Sequence, residues 1–168
     1  MSIAGGAIGR AISVLNWFGA WLPQLALRML LAWEFWEAGV EKYRGANWFA
    51  DIQERFPFPF SVVSVDVSWK LATWTELLAP ILLVLGLGTR IAGTALAILT
   101  VVAIAAVHWP SQWQTVGDLL KGYVISDDGY GNFKLPLLFL AMLLPLILSG
   151  PGRLSIDRLI ERWYAARR

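Results

Sequence analysis

The alternation of apolar and polar stretches along the chain predicts an all-α integral membrane protein built as a four-transmembrane-helix bundle. The predicted spans cover residues 23–43, 69–87, 91–107 and 133–149. The third span carries no charge, and at the usual helical rise its residues would extend roughly 26 Å, close to the hydrocarbon thickness of a bilayer. The length and pattern together predict a single membrane domain over residues 1–168.

Amphipathic helices are predicted at both ends of the chain. Residues 7–22 place their apolar side chains on one face, which favours a helix lying in the membrane surface. An alternative is a single span through residues 11–32, which would bury Arg28. At the other end, residues 150–168 form a tail in which Ser155 is expected to cap a final amphipathic helix.

The segments between the spans carry turn and loop signals. Loop 45–68 contains an alternation of phenylalanine and proline that disfavours helix. Residues 86–90, Gly-Leu-Gly-Thr-Arg, predict a tight turn, so the second and third spans should be antiparallel neighbours. Loop 109–132 is polar, and Asp127 and Asp128 are predicted to be turn residues.

Composition and charge narrow the class of protein. The chain is 57% hydrophobic and only 15% charged, whereas about 25% is usual for a soluble domain. It has no cysteine, which excludes disulfides, thiol redox chemistry and thiolate metal sites within the chain. Five of the ten arginines lie in the last 16 residues, a pattern typical of a cytoplasmic tail on anionic headgroups and not of nucleic-acid binding. Both termini are therefore predicted to be cytoplasmic, and we expect no cleavable signal peptide.

The first span is unusual because it combines membrane-like length with several charges. Glu34, Glu37 and Glu41 fall within about 60° of one another on a helix, so three carboxylates share one stripe. A charge at the bilayer centre costs at least about 2.5–3.5 kcal/mol, so such groups normally face a protein interior, a polar cavity or an interface. The stripe is therefore a candidate functional feature.

Polar residues from three spans are predicted to meet in the outer half of the bundle. The predicted cluster consists of Glu34, Glu37, Glu41, Glu76 and His108, and its candidate lining residues are Arg28, Lys42, Trp33, Trp36 and Trp74. This prediction assumes that the helices turn these faces inward.

Three chemistries suit such a cluster. Buried carboxylates can relay protons. Glu37, Glu76 and His108 offer the oxygen and nitrogen ligands of a divalent metal. Aromatic rings beside a carboxylate and a histidine can hold a quinone. Structural alternatives stay open: Glu41 at the wet end of its helix, Glu37 or Glu76 paired with Arg28 or Lys70, His108 as an interfacial cap, and the tryptophans as interface anchors.

Three stretches of the chain, taken in order, resemble the DoxX family of small bacterial membrane proteins. They are Arg28 followed by Trp36, Gly39 and Lys42; Glu76-Leu77-Leu78 followed by Leu85-Gly86-Leu87-Gly88-Thr89-Arg90; and Gly150-Pro151-Gly152-Arg153-Leu154-Ser155-Ile156-Asp157. The resemblance implies a four-helix bundle in the bacterial inner membrane and an association with redox systems, including quinone-linked thiosulfate oxidoreductases. It does not imply that the chain is a stand-alone enzyme.

The glutamates of the first span depart from the generic family pattern. Together with the phenylalanine–proline loop and residues 126–131, they make the chain more similar to the HvfX-like subgroup, which is linked to maturation of copper-binding modified peptides. This resemblance implies an accessory protein in peptide maturation, export or metal and redox stress, with copper or another divalent metal as candidate cofactor and the peptide or its modifying enzyme as partner. The alternative is a membrane subunit that passes electrons from a soluble redox partner to quinone.

Overall fold

The computed structural model describes residues 3–124 and 131–167, and these residues confirm the predicted all-α class. The described α-helices are α1 Ile3–Gly19, α2 Leu22–Arg44, α3 Val65–Leu85, α4 Thr89–Ala103, α5 Val116–Lys121, α6 Lys134–Ser149 and α7 Ile156–Ala165. A 3₁₀ helix covers Phe49–Arg55, and a π-helical segment, Ile104–His108, continues α4. The predicted turn residues Asp127 and Asp128 lie outside the described residues.

Four of these helices, α2, α3, α4 and α6, pack into a closed bundle. The most extensive contacts are α2 with α3 and α4 with α6, and the ring closes through α3–α4 and α2–α6. Five leucines that no solvent reaches form the centre of its apolar core: Leu31, Leu83, Leu96, Leu143 and Leu146. Gly86 ends α3 in the left-handed conformation and Gly88 precedes α4, which produces the predicted tight turn between antiparallel neighbours.

Within the described parts of the chain, two helical segments are long and apolar enough to cross a membrane. They are Val65–Leu85 and Thr89–His108, the second including the π-helical segment. Lys134–Ser149 is a shorter apolar helix. Helix α2 spans 23 residues, but its charged side chains lower its mean hydropathy. Large apolar side chains are nevertheless exposed on all four bundle helices, Trp33, Leu78, Ile91 and Leu148 among them.

The N-terminal part of the chain is divided by a turn at residues 20–21. Helix α1 precedes this turn, and Pro23 lies in the first turn of α2, where its missing N–H removes no helical hydrogen bond. The alternative of one continuous helix through residues 11–32 is therefore wrong. Residues 8–19 are exposed throughout, and α1 has few contacts with α2.

Loop 45–68 contains more structure than its sequence predicts. The 3₁₀ helix precedes the prolines, and α3 begins at Val65 rather than at residue 69. Asp66 lies in the first turn of α3, where a carboxylate interacts favourably with the helix dipole but lowers the apolar signal. Phe49 and Phe56 contact each other edge to face, with ring centroids 5.0 Å apart, and form a small second core.

A short helix, α5, also lies within the predicted loop 109–132. Thr115 caps it: the Thr115 hydroxyl accepts from the Asp118 backbone N–H at 3.1 Å, and the Asp118 carboxylate accepts from the Thr115 backbone N–H at 3.2 Å. The hydrogen bond from Lys121 and that from the Thr115 hydroxyl lower the pKa of Asp118 to about 2. This capping box was readable in the sequence and was missed.

Candidate functional site

Helices α2 and α3 approach each other closely at Gly39, which packs against the backbone of Glu76. A Cβ atom at position 39 would lie 2.9 Å from both the carbonyl carbon and the carbonyl oxygen of Glu76, so a larger residue would force the helices apart. Pro80, one turn later in α3, has no backbone N–H to donate to that carbonyl. Gly39 and Pro80 therefore leave the Glu76 carbonyl directly at the α2–α3 contact.

One turn beyond Gly39, Lys42 reaches across to Glu76 and forms a buried ion pair. The Lys42 Nζ atom donates to Oε1 at 3.0 Å and lies 2.8 Å from Oε2. The Glu76 side chain is 4% exposed and that of Lys42 is 18% exposed. Pairing of Glu76 with Arg28 or Lys70, which the sequence left open, is therefore wrong. The pair joins α2 to α3. Removing Lys42 would leave the Glu76 carboxylate buried without a compensating charge, which is costly.

The three carboxylates of the α2 stripe do not share this enclosed environment. Glu34 is half-buried, and Glu37 and Glu41 are exposed. The ion pairs formed within residues 3–124 and 131–167 include none of the three. Helix α2 therefore presents carboxylates outward beside the Lys42–Glu76 pair.

His108 ends the π-helical segment and is bound to the residues that precede α6. Its Nδ1 atom is hydrogen-bonded to the Asn132 Oδ1 atom, and the Asn132 backbone N–H donates to the His108 carbonyl at 3.1 Å. Gly131 has a φ of 82°, and a Cβ atom there would overlap the same carbonyl. His108 thus connects α4 to the start of α6.

The predicted metal ligands are not brought together. No group of three or more His, Cys, Asp or Glu side chains within the described residues is placed to hold a metal ion. Glu37 is exposed, Glu76 is paired with Lys42, and His108 is bonded to Asn132. The prediction compared depth along the helices, and equal depth does not determine the direction in which a side chain points.

The candidate tryptophans lie on the outside of the bundle. Trp33 is 71% exposed, and Trp36 and Trp74 are about half exposed. Trp33 and Trp36 line an apolar groove of about 440 Å³ between α2 and α3, with Pro80 and Ile81 on its other wall. Trp74 lies elsewhere, in edge contact with Tyr43. The groove is open on the outer surface of the bundle.

A second buried charge, Arg28, lies far from the glutamates with which it was grouped. It precedes Lys42 by 14 residues, which corresponds to about 21 Å along α2. The guanidinium is 1% exposed, and its Nη2 atom donates to the Leu154 carbonyl at 2.6 Å. Its Nε and Nη1 atoms are buried without a hydrogen bond to any described residue. The placement of Arg28 in the glutamate cluster is therefore wrong.

The turn between α3 and α4 supplies the space for Arg28. Gly86 has a φ of 64°, and a Cβ atom there would overlap the Arg28 Nη1 atom and lie 2.9 Å from the Cα atom of Ser155. The Ser155 hydroxyl accepts from the backbone N–H of Arg158 at 3.2 Å, which confirms the predicted cap of α7. We call this region, formed by Arg28, the 86–89 turn and residues 154–157, the arginine junction.

Asp157 fastens the C-terminal segment to the same turn. Its carboxylate accepts from the backbone N–H groups of Gly88 at 2.8 Å and Thr89 at 3.1 Å, and its own N–H donates to the Gly86 carbonyl at 3.0 Å. The carboxylate thereby caps the N-terminus of α4. Residues of all three stretches that resemble the DoxX family meet here. The Gly-Leu-Gly-Thr turn and Asp157 are both visible in the sequence, but no local pattern indicates that they meet.

The bundle thus contains two polar sites of different character. Beside the Lys42–Glu76 pair, α2 carries exposed carboxylates, which can bind a cationic group or exchange a proton. At the arginine junction, Arg28 is surrounded mainly by backbone groups, and the contacts there hold the C-terminal segment against the turn between α3 and α4. Of the predicted polar residues, the structure joins Lys42 with Glu76 and places Arg28 and His108 in separate contacts.

The comparisons with known proteins identify the family of the chain. A family model described as DoxX matches residues 24–109. A protein of Haemophilus influenzae, described as an uncharacterized protein, is 44% identical over 146 residues, which cover 87% of this chain and 88% of that relative. No solved structure matches the chain. The chain belongs to the DoxX family of membrane proteins.

Proposed function

We propose that this chain is an accessory protein of the bacterial inner membrane that supports the maturation or export of copper-binding modified peptides, or the response to metal and redox stress. Membership of the DoxX family supports the membrane accessory role. The finer assignment rests on the carboxylate stripe of α2, which distinguishes the chain from the generic family pattern.

We further propose that α2, α3, α4 and α6 all span the membrane and that both termini are cytoplasmic. The closed packing of the four helices supports this, because α2 and α6 complete the ring begun by the two segments that are long and apolar enough to cross a membrane. The concentration of arginines after residue 152 supports the orientation. In this arrangement, loops 45–68 and 109–132 face outward.

The observation that carries the proposal is the stripe of Glu34, Glu37 and Glu41 on one helix of the bundle, in which Glu34 is half-buried and the other two are exposed. Carboxylates at membrane depth are stabilised when a cation, a proton or a polar partner meets them. In the proposed role, a cationic or metal-carrying segment of a peptide or of its modifying enzyme contacts the stripe, and the Lys42–Glu76 pair keeps α2 in place behind it.

The test is complementation of a strain that lacks the gene, measured as growth in increasing copper and as yield of mature peptide. A variant with Glu34, Glu37 and Glu41 all changed to glutamine should lose at least most of the rescue. Glu54→Gln, an exposed glutamate of the 3₁₀ helix, is the control and should rescue fully. Full rescue by the triple variant at equal membrane abundance would exclude the stripe from the function.

A quinone-linked redox subunit is the second candidate, and the apolar groove beside Trp33 and Trp36 favours it. Its volume of about 440 Å³ falls within the range usual for small-molecule sites. Quinone extracted from purified protein should fall when both tryptophans are changed to alanine, whereas Trp74→Ala, outside the groove, should leave it unchanged. Purified wild-type protein without quinone would remove this candidate.

A further inference from the structure

A polar cleft of about 360 Å³ opens at the end of the bundle opposite the Lys42–Glu76 pair. It lies where α2 and α4 begin and α6 ends, so its walls come from helix termini rather than from apolar helix centres. The polar lining side chains are Gln24, Arg90, Ser149, Arg153, Arg158 and Glu161. Because the apolar segments stop here, the cleft stands at the level of the lipid headgroups if those segments cross the bilayer.

The cleft carries an excess of positive charge. Arg158 is paired with Glu161, with its Nη1 atom 2.8 Å from Oε2. Arg90 and Arg153 line the same cleft and take part in no ion pair within the described residues. Two guanidinium groups therefore remain for an anion, and guanidinium groups bind phosphate through paired N–H donors.

One of the lining residues of the cleft also has an unused hydrogen-bond acceptor. The Oε1 atom of Gln24 is buried and has no hydrogen-bond partner among the described residues. Gly152, with a φ of 82°, packs against Gln24, because a Cβ atom at position 152 would lie 2.9 Å from the Gln24 Cβ atom. A ligand that accepts hydrogen bonds from the arginines and donates one from a hydroxyl group to the Gln24 Oε1 atom would satisfy these polar groups.

Helix α7 indicates which kind of anion is expected. At 100° per residue, Leu159, Ile160 and Trp163 share one face, and all three are exposed. Arg158 lies on the opposite face and Arg162 at the border between the two faces, which is the arrangement of a helix that rests in a membrane surface. A soluble anion would make no use of this apolar face, whereas the acyl chains of a membrane can cover it while a lipid headgroup of the same membrane occupies the cleft.

We propose that this cleft binds the phosphodiester headgroup of an anionic phospholipid, with Arg90 and Arg153 contacting the phosphate and Gln24 accepting from a headgroup hydroxyl. The proposal uses none of the α2 carboxylates, so it stands or falls independently of the peptide-maturation function. Phosphatidylglycerol, which combines a phosphodiester with hydroxyl groups, is the probe that fits this chemistry.

The experiment measures the affinity of the purified full-length protein for phosphatidylglycerol and for phosphatidylcholine by native mass spectrometry. Wild-type protein should prefer phosphatidylglycerol. Changing both Arg90 and Arg153 to glutamine should weaken that binding by roughly 20- to 30-fold, about fivefold for each arginine. Changing Arg44 and Arg55 to glutamine removes the same charge from exposed positions at the other end and should leave the affinity unchanged.

Three results would overturn the proposal. The first is binding of phosphatidylglycerol by the double variant of the cleft as tight as that by wild type. The second is complete displacement of the lipid by millimolar inorganic phosphate, which would identify a site for a soluble anion. Equal wild-type affinity for the two lipids would also overturn it, and this measurement needs no variant to fold.

Discussion

The two ends of the helical bundle bury a charge in opposite ways. At one end Glu76 pairs with Lys42 across the α2–α3 contact. At the other end Arg28 forms no ion pair with any residue that the structure describes, and it donates to the backbone carbonyl of Leu154. The first site joins two helices, and the second joins a helix to a turn and to the C-terminal segment.

This difference has an energetic consequence. An ion pair that loses one member leaves the other charged and enclosed, which is costly in a low-dielectric interior. When a charged donor such as Arg28 is replaced, the group left behind is a neutral carbonyl, so the loss of folding free energy is smaller. At the arginine junction, the left-handed backbone at Gly86 leaves the space that the Arg28 side chain fills. The position of Arg28 therefore depends on backbone conformation more than the position of the Lys42–Glu76 pair does.

The largest expected effect comes from breaking the ion pair on one side only. Lys42→Met should lower the free energy of unfolding by about 3–5 kcal/mol, because Glu76 would stay buried without its partner. The measurement is thermal unfolding of the purified protein in detergent. Lys70→Met, an exposed lysine of α3, is the control and should change the stability by less than about 0.5 kcal/mol.

A double variant sharpens this result. Lys42→Met combined with Glu76→Gln removes both charges and should be more stable than Lys42→Met alone. If the double variant loses more stability than the single one, the cost comes from packing and not from an uncompensated charge.

The second expected effect concerns backbone shape at the arginine junction. Gly86→Ala should cost roughly 2–4 kcal/mol, because it combines left-handed backbone strain with overlap against Arg28. Gly88→Ala is a matched control, since Gly88 has a φ of 57° but open space around it, and strain alone predicts roughly 1–2 kcal/mol. Equal losses in the two variants would show that Arg28 can move aside.

A smaller effect is expected when Arg28 itself is replaced. Arg28→Met should cost about 1.5–3 kcal/mol through loss of its hydrogen bond to Leu154. Because that bond holds the C-terminal segment, trypsin should cleave after Arg153 faster in this variant. Arg44→Met, at an exposed position, should cleave at the wild-type rate. Unchanged cleavage in Arg28→Met would mean that Asp157 alone fastens the segment.

The smallest effect is expected at the exposed Asp118–Lys121 pair, which serves as a reference for the buried charges of Glu76 and Arg28. The pKa of Asp118 is lowered from 3.8 to about 2 by Lys121 and Thr115. The stabilisation of α5 should therefore be fully present above about pH 4 and be lost as the pH falls through about 2. An NMR titration of the Asp118 carboxyl carbon checks this. Lys121→Met should raise the midpoint, and an unchanged midpoint would contradict the assigned cause.

The sequence predicted the parts of the fold that depend on local signals. Apolar runs located the helices of the bundle to within a few residues, Gly86 and Gly88 predicted the tight turn, and Ser155 predicted the start of α7. The errors lie where local signals conflict. The first turn of α3 is polar, and α5 is too short to show a period, so both were assigned to loops.

The candidate site was predicted less well, because a list of polar residues does not specify partners. Glu34, Glu37, Glu41 and Glu76 were expected to converge, but Glu76 turns to Lys42 while Glu37 and Glu41 face outward. A rotation of one helix by a fraction of a turn exchanges such faces without changing the depth of any residue. His108 likewise reached the expected end of α4 but bonds to Asn132.

By itself, the sequence determined the helical class, the order and approximate limits of the four bundle helices and the stretches that resemble the DoxX family. Only the tertiary structure decided which buried charge meets which partner. The physical reason is distance along the chain: Lys42 and Glu76 are 34 residues apart, and Arg28 and Leu154 are 126 apart. Helix periodicity reports neighbours within a turn or two, whereas these contacts depend on how the packed helices are rotated against one another.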